Sequence, residues 1–215
     1  INEPDSVAAI RAAELDWLFV LESQIVGADV LSAPRLGCLG MHPALLPQGR
    51  GRAVIPWAIL KGLSRTGLTM FKLDAGVDTG PILEQLEIPV APDETATTLY
   101  AKVMEAHRTL VRLMWDDLLN GTATFHEQIG DEASVWPGRK PEDGRIDSTM
   151  AVRDVERLVR AVTHPYPGAR WRRSDGNELI VWAGHIGNEN EDPLSNQSIP
   201  LRDGFYVIDD WESLP

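Results

Sequence analysis

The sequence is poor in the residues that several kinds of chemistry require. Among 215 residues Cys38 is the one cysteine, so no intrachain disulfide or Cys-rich zinc site can form, and a reducing, cytoplasmic compartment is expected. His107, His126, His164 and His185 show no metal-ligand spacing, and His107 falls on a helical apolar stripe where a satisfied core histidine is the simpler reading. No apolar run approaches the ~18–20 residues that cross a bilayer. No Gly-x-Gly-x-x-Gly precedes the first helix, and Gly-x-Ser-x-Gly and P-loop patterns do not occur, which leaves dinucleotide, serine-nucleophile and P-loop chemistry unsupported. Cations are also in deficit. Lys and Arg number 20 against 32 Asp and Glu, a formal net charge of −12, and such a chain repels phosphate backbones.

What is present is the patterning of an α/β protein. Residues 5–14 read as a helix capped by Asp5 or Ser6. Trp17 to Leu21 is a short, wholly apolar run, which suits a strand buried on both faces. A helical turn at Ala28 to Ser32 and a strand ending near Leu39 to His42 complete a β-α-β spacing that favours an open sheet. Residues 43–53, with two prolines and two glycines, form a loop, and Ile55 to Leu63 forms a helix. Gly67 to Leu73 and Ile82 to Val90 read as strands around an Asp- and Gly-rich turn. A long helix follows, its stripe made by Leu99, Val103, Ala106, Leu110, Met114 and Leu118, with Gly121 closing it.

Residues 128–147 are rich in Gly, Pro and charge and read as a linker. Ala151 to Thr163 is an amphipathic helix with Val152, Val155, Leu158, Val159 and Val162 on one face. Short strands are expected at 169–172, 178–183 and 204–208, and a mobile loop at 184–200.

Three constellations carry candidate chemistry. His42 ends a buried strand, where ligands bind in open α/β sheets and where proton chemistry is well placed; helix capping or loop bonding is the plainer alternative. Asp74 and Asp78 share a turn with Gly76 and Gly80, so a carboxylate there can orient a neighbouring histidine, although such turns also arise from backbone geometry alone. Arg50 and Arg52 make a basic island in an acidic chain, suited to a substrate phosphate or carboxylate, or simply to solvent.

These residues stand in a recognisable order. The block GCLGMHPALLPQGRGRAVIPWAILKGLSRTGLTMFKLDAGVDTGPILEQLEIPVAPDETATTL (37–99) resembles the 10-formyltetrahydrofolate-dependent formyltransferases. That family includes methionyl-tRNA formyltransferase, glycinamide ribonucleotide formyltransferase and the N-formyltransferases of nucleotide-linked amino sugars. GRKPEDGRID and RLVRAVTHPYPGA resemble the entry to the family's β-rich C-terminal domain.

The resemblance implies an α/β fold with a formyltransferase-type open, mostly parallel sheet, followed by a small β-rich domain. The implied division is a catalytic domain over 1–127, a linker over 128–147 and a C-terminal domain over 148–215. Because the chain begins at Ile1, part of the sheet is expected to precede this sequence. The resemblance makes His42 and Asp78 catalytic and sets the folate against Leu73, Asp74 and Gly76 and against Ser23, Gln24 and Ile25. The formyl donor is 10-formyltetrahydrofolate, and no metal is implied. One position departs from the pattern: the family's Asn-x-His reads Gly40-Met41-His42 here. Loss of one oxyanion donor typically costs about 100- to 1000-fold in rate, which leaves a non-catalytic folate- or nucleotide-binding relative as an alternative.

For the acceptor, residues 171–215 hold three arginines against nine carboxylates, a poor surface for tRNA. The expected substrate is therefore a nucleotide-linked amino sugar, with Arg50 and Arg52 as its contacts and methionyl-tRNA as the alternative. A homodimer is compatible with the sequence; membrane association is not implied.

Overall fold

A computed structural model describes residues 1–21 and 25–213. Ser23 and Gln24, two of the folate-binding candidates, lie outside the described residues. The chain divides into two compact units: Ile1–Val54 with Arg65–Pro89 and Lys102–Pro137, and Ile55–Ser64 with Val90–Ala101 and everything from Gly138 on.

The first unit opens with α1 (Pro4–Ala12), β1 (Trp17–Val20), α2 (Ala28–Leu31) and β2 (Gly37–His42). The α1 cap is the extended Glu3, without a side-chain cap bond, rather than Asp5 or Ser6. Pro4 accounts for this: its ring fixes φ for the first helical turn, and its missing N–H is one that the helix would leave unpaired anyway. β1 and β2 run parallel, with Trp17 opposite Gly37 and Val20 opposite Gly40. Val7, Val20, Val30 and Cys38 form a buried apolar cluster beside them, with Leu73 packed on its edge. Burial pushes the Cys38 thiol up, and the nearby Lys72 offsets part of that shift, so Cys38 serves as a core residue rather than a nucleophile.

After the two-residue β3 (Arg50–Gly51) and α3 (Val54–Leu60) come β4 (Arg65–Lys72) and β5 (Ile82–Pro89). The sheet order is β1-β2-β4-β5. β4 runs antiparallel to both β2 and β5, so the sheet is mixed, not mostly parallel. The short connection over 73–81 accounts for the β4–β5 pair, because parallel neighbours need a long crossover. Successive residues of β4 from Thr66 to Phe71 are buried, so both faces of the strand are covered.

The long helix is α4 (Ala96–Asn120). Its expected stripe, Leu99, Val103, Ala106, Leu110, Met114 and Leu118, is buried throughout. His107 lies beside that stripe, and its Nδ1 is 2.8 Å from the Val103 carbonyl oxygen of the preceding turn. The span expected to be a linker includes β6 (Val135–Trp136), which pairs in parallel with β3 through Arg50 opposite Val135 and Gly51 opposite Trp136.

In the second unit, α5 (Val152–Val162) buries all five residues of its expected stripe against β7 (Ala169–Arg172), β8 (Glu178–Ile186) and β10 (Gly204–Ser213). β9 (Ser198–Leu201) completes an antiparallel sheet of order β7-β8-β10-β9. Its first three residues fall inside the segment expected to be a mobile loop, 184–200. Ile199 there is fully buried; one buried residue in a four-residue strand leaves no periodic signal. Among the described residues, no helix is long and apolar enough to cross a membrane.

Candidate active site

β2 delivers His42 to its carboxyl end, where Pro43 turns the chain away. The side chain is only 8% exposed. Its Nε2 lies 2.7 Å from the Gly49 carbonyl oxygen. A carbonyl can only accept, so Nε2 is the ring nitrogen that carries hydrogen. That leaves Nδ1 facing the Asp78 carboxylate, 3.5 Å from its Oδ2.

Asp78 reaches this position from an unusual backbone conformation, with φ of +54°. Such conformations cost energy in a side-chain-bearing residue and persist where the surroundings over-determine them. Three sets of bonds do so here. The Gly51 N–H donates to Asp78 Oδ2 at 2.8 Å. Asp74 Oδ1 organises the turn by accepting the Gly76 N–H at 2.9 Å and the Thr79 hydroxyl at 2.7 Å. Gln128 Nε2 donates to the carbonyl oxygens of Asp78 and Gly80, at 2.9 and 2.8 Å.

The same Gln128 grips the other side of the site. Its Oε1 accepts Nε and Nη2 of Arg50 at 3.1 and 2.7 Å. Beside it, Ser134 Oγ accepts the Gly49 N–H at 2.9 Å, and the Trp136 carbonyl accepts the Arg52 N–H at 3.1 Å. Gly51 has φ of +106°, and a Cβ there would stand 2.3 Å from the Trp136 carbonyl oxygen, so only glycine lets β3 approach β6 this closely.

The structure therefore brings together His42, Asp78 and Arg50 from the sequence-derived set, with Asp74 and Gly76 shaping the turn. Arg50 directs its guanidinium at Gln128, while the Arg52 side chain is exposed. Ile25 is 74% exposed, its carbonyl accepting the Asn2 amide at 2.8 Å. Leu73 is half-buried and covers Gly40: a Cβ at Gly40 would stand 2.6 Å from Leu73 Cδ2 and 3.4 Å from Phe71 Cε1. The place where the pattern calls for an amide is filled by hydrocarbon.

Gln128, Ser134 and Trp136 were not singled out by sequence reasoning. The available signal was a small one: the apolar pair Val135-Trp136, the length of a short strand, in an otherwise polar stretch. Among the described residues, no group of three or more His, Cys, Asp or Glu side chains could hold a metal ion.

The formyl transferase family matches residues 2–114, and the formyl transferase C-terminal domain matches residues 139–201. The methionyl-tRNA formyltransferase of Geobacter metallireducens is 34% identical over 208 residues, covering 96% of this chain and 66% of that protein. This chain spans 61–66% of the length of the curated relatives it matches. Among solved structures, HypX from Aquifex aeolicus in complex with tetrahydrofolic acid superposes with a TM-score of 0.81 at 21% identity, over 98% of this chain and 38% of that one. A 4-N formyltransferase from Francisella tularensis superposes with a TM-score of 0.73 at 25% identity, over 85% of this chain and 76% of that one.

Proposed function

From the premise that the chain belongs to the formyl transferase family, we propose that it moves a formyl group from 10-formyltetrahydrofolate to the amine of a nucleotide-linked amino sugar. One observation carries the chemistry: Nδ1 of a buried His42 faces the Asp78 carboxylate, while Nε2 is committed to a carbonyl. Held so, the neutral ring has its lone pair on Nδ1. An amine presented there attacks the formyl carbon and surrenders a proton to Nδ1. The resulting imidazolium has an acceptor at each N–H, the Gly49 carbonyl and Asp78. As the carbon–N10 bond of the donor breaks, that proton passes to N10, so the N-formylated sugar and tetrahydrofolate leave with atoms and charge balanced. No covalent enzyme intermediate is involved. The turn over 73–78 and Ile25, with Ser23 and Gln24, are the proposed folate contacts, and tetrahydrofolate in the HypX complex supports a folate donor.

Charge selects the acceptor. Nine carboxylates against three arginines over 171–215 disfavour a polyanion, whose binding depends on phosphate neutralisation. Likeness to a 4-N formyltransferase supports an amine acceptor. The 34% identity with a methionyl-tRNA formyltransferase favours the second reading, the same chemistry on methionyl-tRNA.

The test is tetrahydrofolate release by the protein as its gene encodes it, with 10-formyltetrahydrofolate and either a panel of nucleotide-linked amino sugars or methionyl-tRNA. Turnover with a sugar is expected, and both His42→Asn and Asp78→Asn should remove most of it. Turnover with methionyl-tRNA alone replaces the first reading by the second. A folded protein that turns over neither acceptor refutes both.

A further inference from the structure

We propose that Gln128 is a positioning residue for the His42–Asp78 pair, holding the Asp78 turn against the Arg50 loop; this rests on the formyl-transfer reading above. The amide is saturated: both of its N–H groups go to carbonyls of the Asp78 turn, and its oxygen takes two N–H groups of Arg50. An amide has two donors and one oxygen with two lone pairs, so no capacity is left for substrate. Gln128 therefore acts through other residues.

The bonds close a ring. Arg50 is followed in the chain by Gly51, whose N–H holds the Asp78 carboxylate at 2.8 Å, and the Asp78 backbone returns through Gln128 to the Arg50 side chain. Asp78 is thereby fixed at both ends, backbone and carboxylate, by the same short segment. Without Gln128, two carbonyls and the Arg50 guanidinium lose these bonds, and the left-handed Asp78 backbone is opposed in its relaxation only by the Gly51 bond to its carboxylate and the Asp74 bonds of its own turn. A shift on the order of 1 Å in a reacting group can cost about 100-fold in rate. Gln128 has no free group to offer substrate, so any effect on affinity passes through the turn and the Arg50 loop that it holds.

The experiment replaces Gln128 by Met, of similar length with no hydrogen bonds, and by Glu, which keeps the acceptor for Arg50 but loses both donations to the turn. Each variant is made alone and with Asp78→Asn. Gln128→Met and Gln128→Glu should each lower kcat about 10- to 100-fold, more than they raise KM for the formyl donor, and neither should lower the rate further when Asp78 is already Asn. If Gln128→Met fails to fold, Gln128→Glu carries the same comparison. Equal losses in the presence and absence of Asp78, or a Gln128→Glu rate at the wild-type level, overturn the assignment.

A second readout needs no turnover, so it separates this proposal from the functional reading. The ¹⁵N resonance of His42 Nδ1 in the substrate-free protein should move in Gln128→Met in the same direction as in Asp78→Asn. A Gln128→Met resonance that stays at the wild-type position while Asp78→Asn moves it overturns the proposal whether or not formyl transfer is found. Absence of turnover in a wild-type protein whose His42 signal responds as expected instead refutes only the functional reading.

Discussion

Restoring an amide at position 40 places two physical effects in opposition, and both have sizes that can be worked out. β2 sends residue 40 to the same face as His42, since side chains alternate along a strand. An Asn there is well placed to stabilise negative charge developing on the formyl oxygen, an interaction worth about 2.7–4 kcal/mol where one such donor is removed from other enzymes. Against it stands Leu73, whose Cδ2 lies 2.6 Å from the position of the new Cβ. Leu73 must retreat by most of an ångström, and behind it Val7, Val20, Val30 and Cys38 are all 8% exposed or less. Overpacking of this kind costs about 1–3 kcal/mol, and each kilocalorie lowers Tm by roughly 2–4 °C in a chain of this length.

Gly40→Asn alone should therefore melt about 2–12 °C below wild type. Leu73→Ala alone opens space and should lose stability without gaining rate. Combined, the two changes should recover part of the lost stability, because the amide occupies the vacated volume, and should raise tetrahydrofolate release at least about tenfold over Leu73→Ala. The measurements are thermal melts and initial rates for all four proteins. Gly40→Asn melting at the wild-type temperature would show that Leu73 does not fill the space. A double variant no faster than Leu73→Ala would show that a donor at position 40 contributes nothing to the reaction.

Two further predictions concern backbone and charge. Gly51→Ala should separate β3 from β6, because its Cβ meets the Trp136 carbonyl oxygen at 2.3 Å and φ is +106°; a stability loss of about 1–3 kcal/mol by chemical denaturation is expected, together with a fall in activity through Asp78, and a wild-type denaturation midpoint would contradict the close approach. His185 lies between Asp209, 3.0 Å from its Nδ1, and Glu191, 2.8 Å from its Nε2, and hydrogen bonds first to Asp209 and then to Glu191 hold its pKa above the ordinary 6.5. A raised folded-state value means the stabilisation is full below pH 6.5 and fades as pH rises through the folded value. Tm should thus fall less between pH 6 and 8 in His185→Gln than in wild type; parallel curves would refute the reading.

The helices were legible because their signal is local. In α4 and α5 the apolar positions recur at three and four residues, and all of them are buried as the pattern requires. The direction of β4 was not legible: strand patterns fix which residues are buried, and both parallel and antiparallel neighbours bury the same ones. β3 and β6 escaped for a different reason. Each is two residues long, and their partners lie far apart in the chain, as the Gly49–Ser134 bond across 85 residues shows. No local composition announces such a pair.

At the site, His42 and Asp78 were readable because motif order carries them, but their relation to one another is set by residues no motif names. Asp78 is in a left-handed conformation that its own turn supports only through Asp74; its carboxylate and its carbonyl are held by Gly51 and Gln128, from two other parts of the chain. Strain stored at one residue and opposed by distant bonds has a kinetic consequence. The bonds to Gly51 and Gln128 each contribute only about 0.5–1.5 kcal/mol to stability, yet both converge on the geometry between Nδ1 and Oδ2. Substitutions in the 128–136 stretch should therefore reduce rate far more than they reduce stability. That asymmetry also explains why such a segment looks like a linker: its residues are chosen for what they hold in place, and that leaves little trace in hydrophobic period.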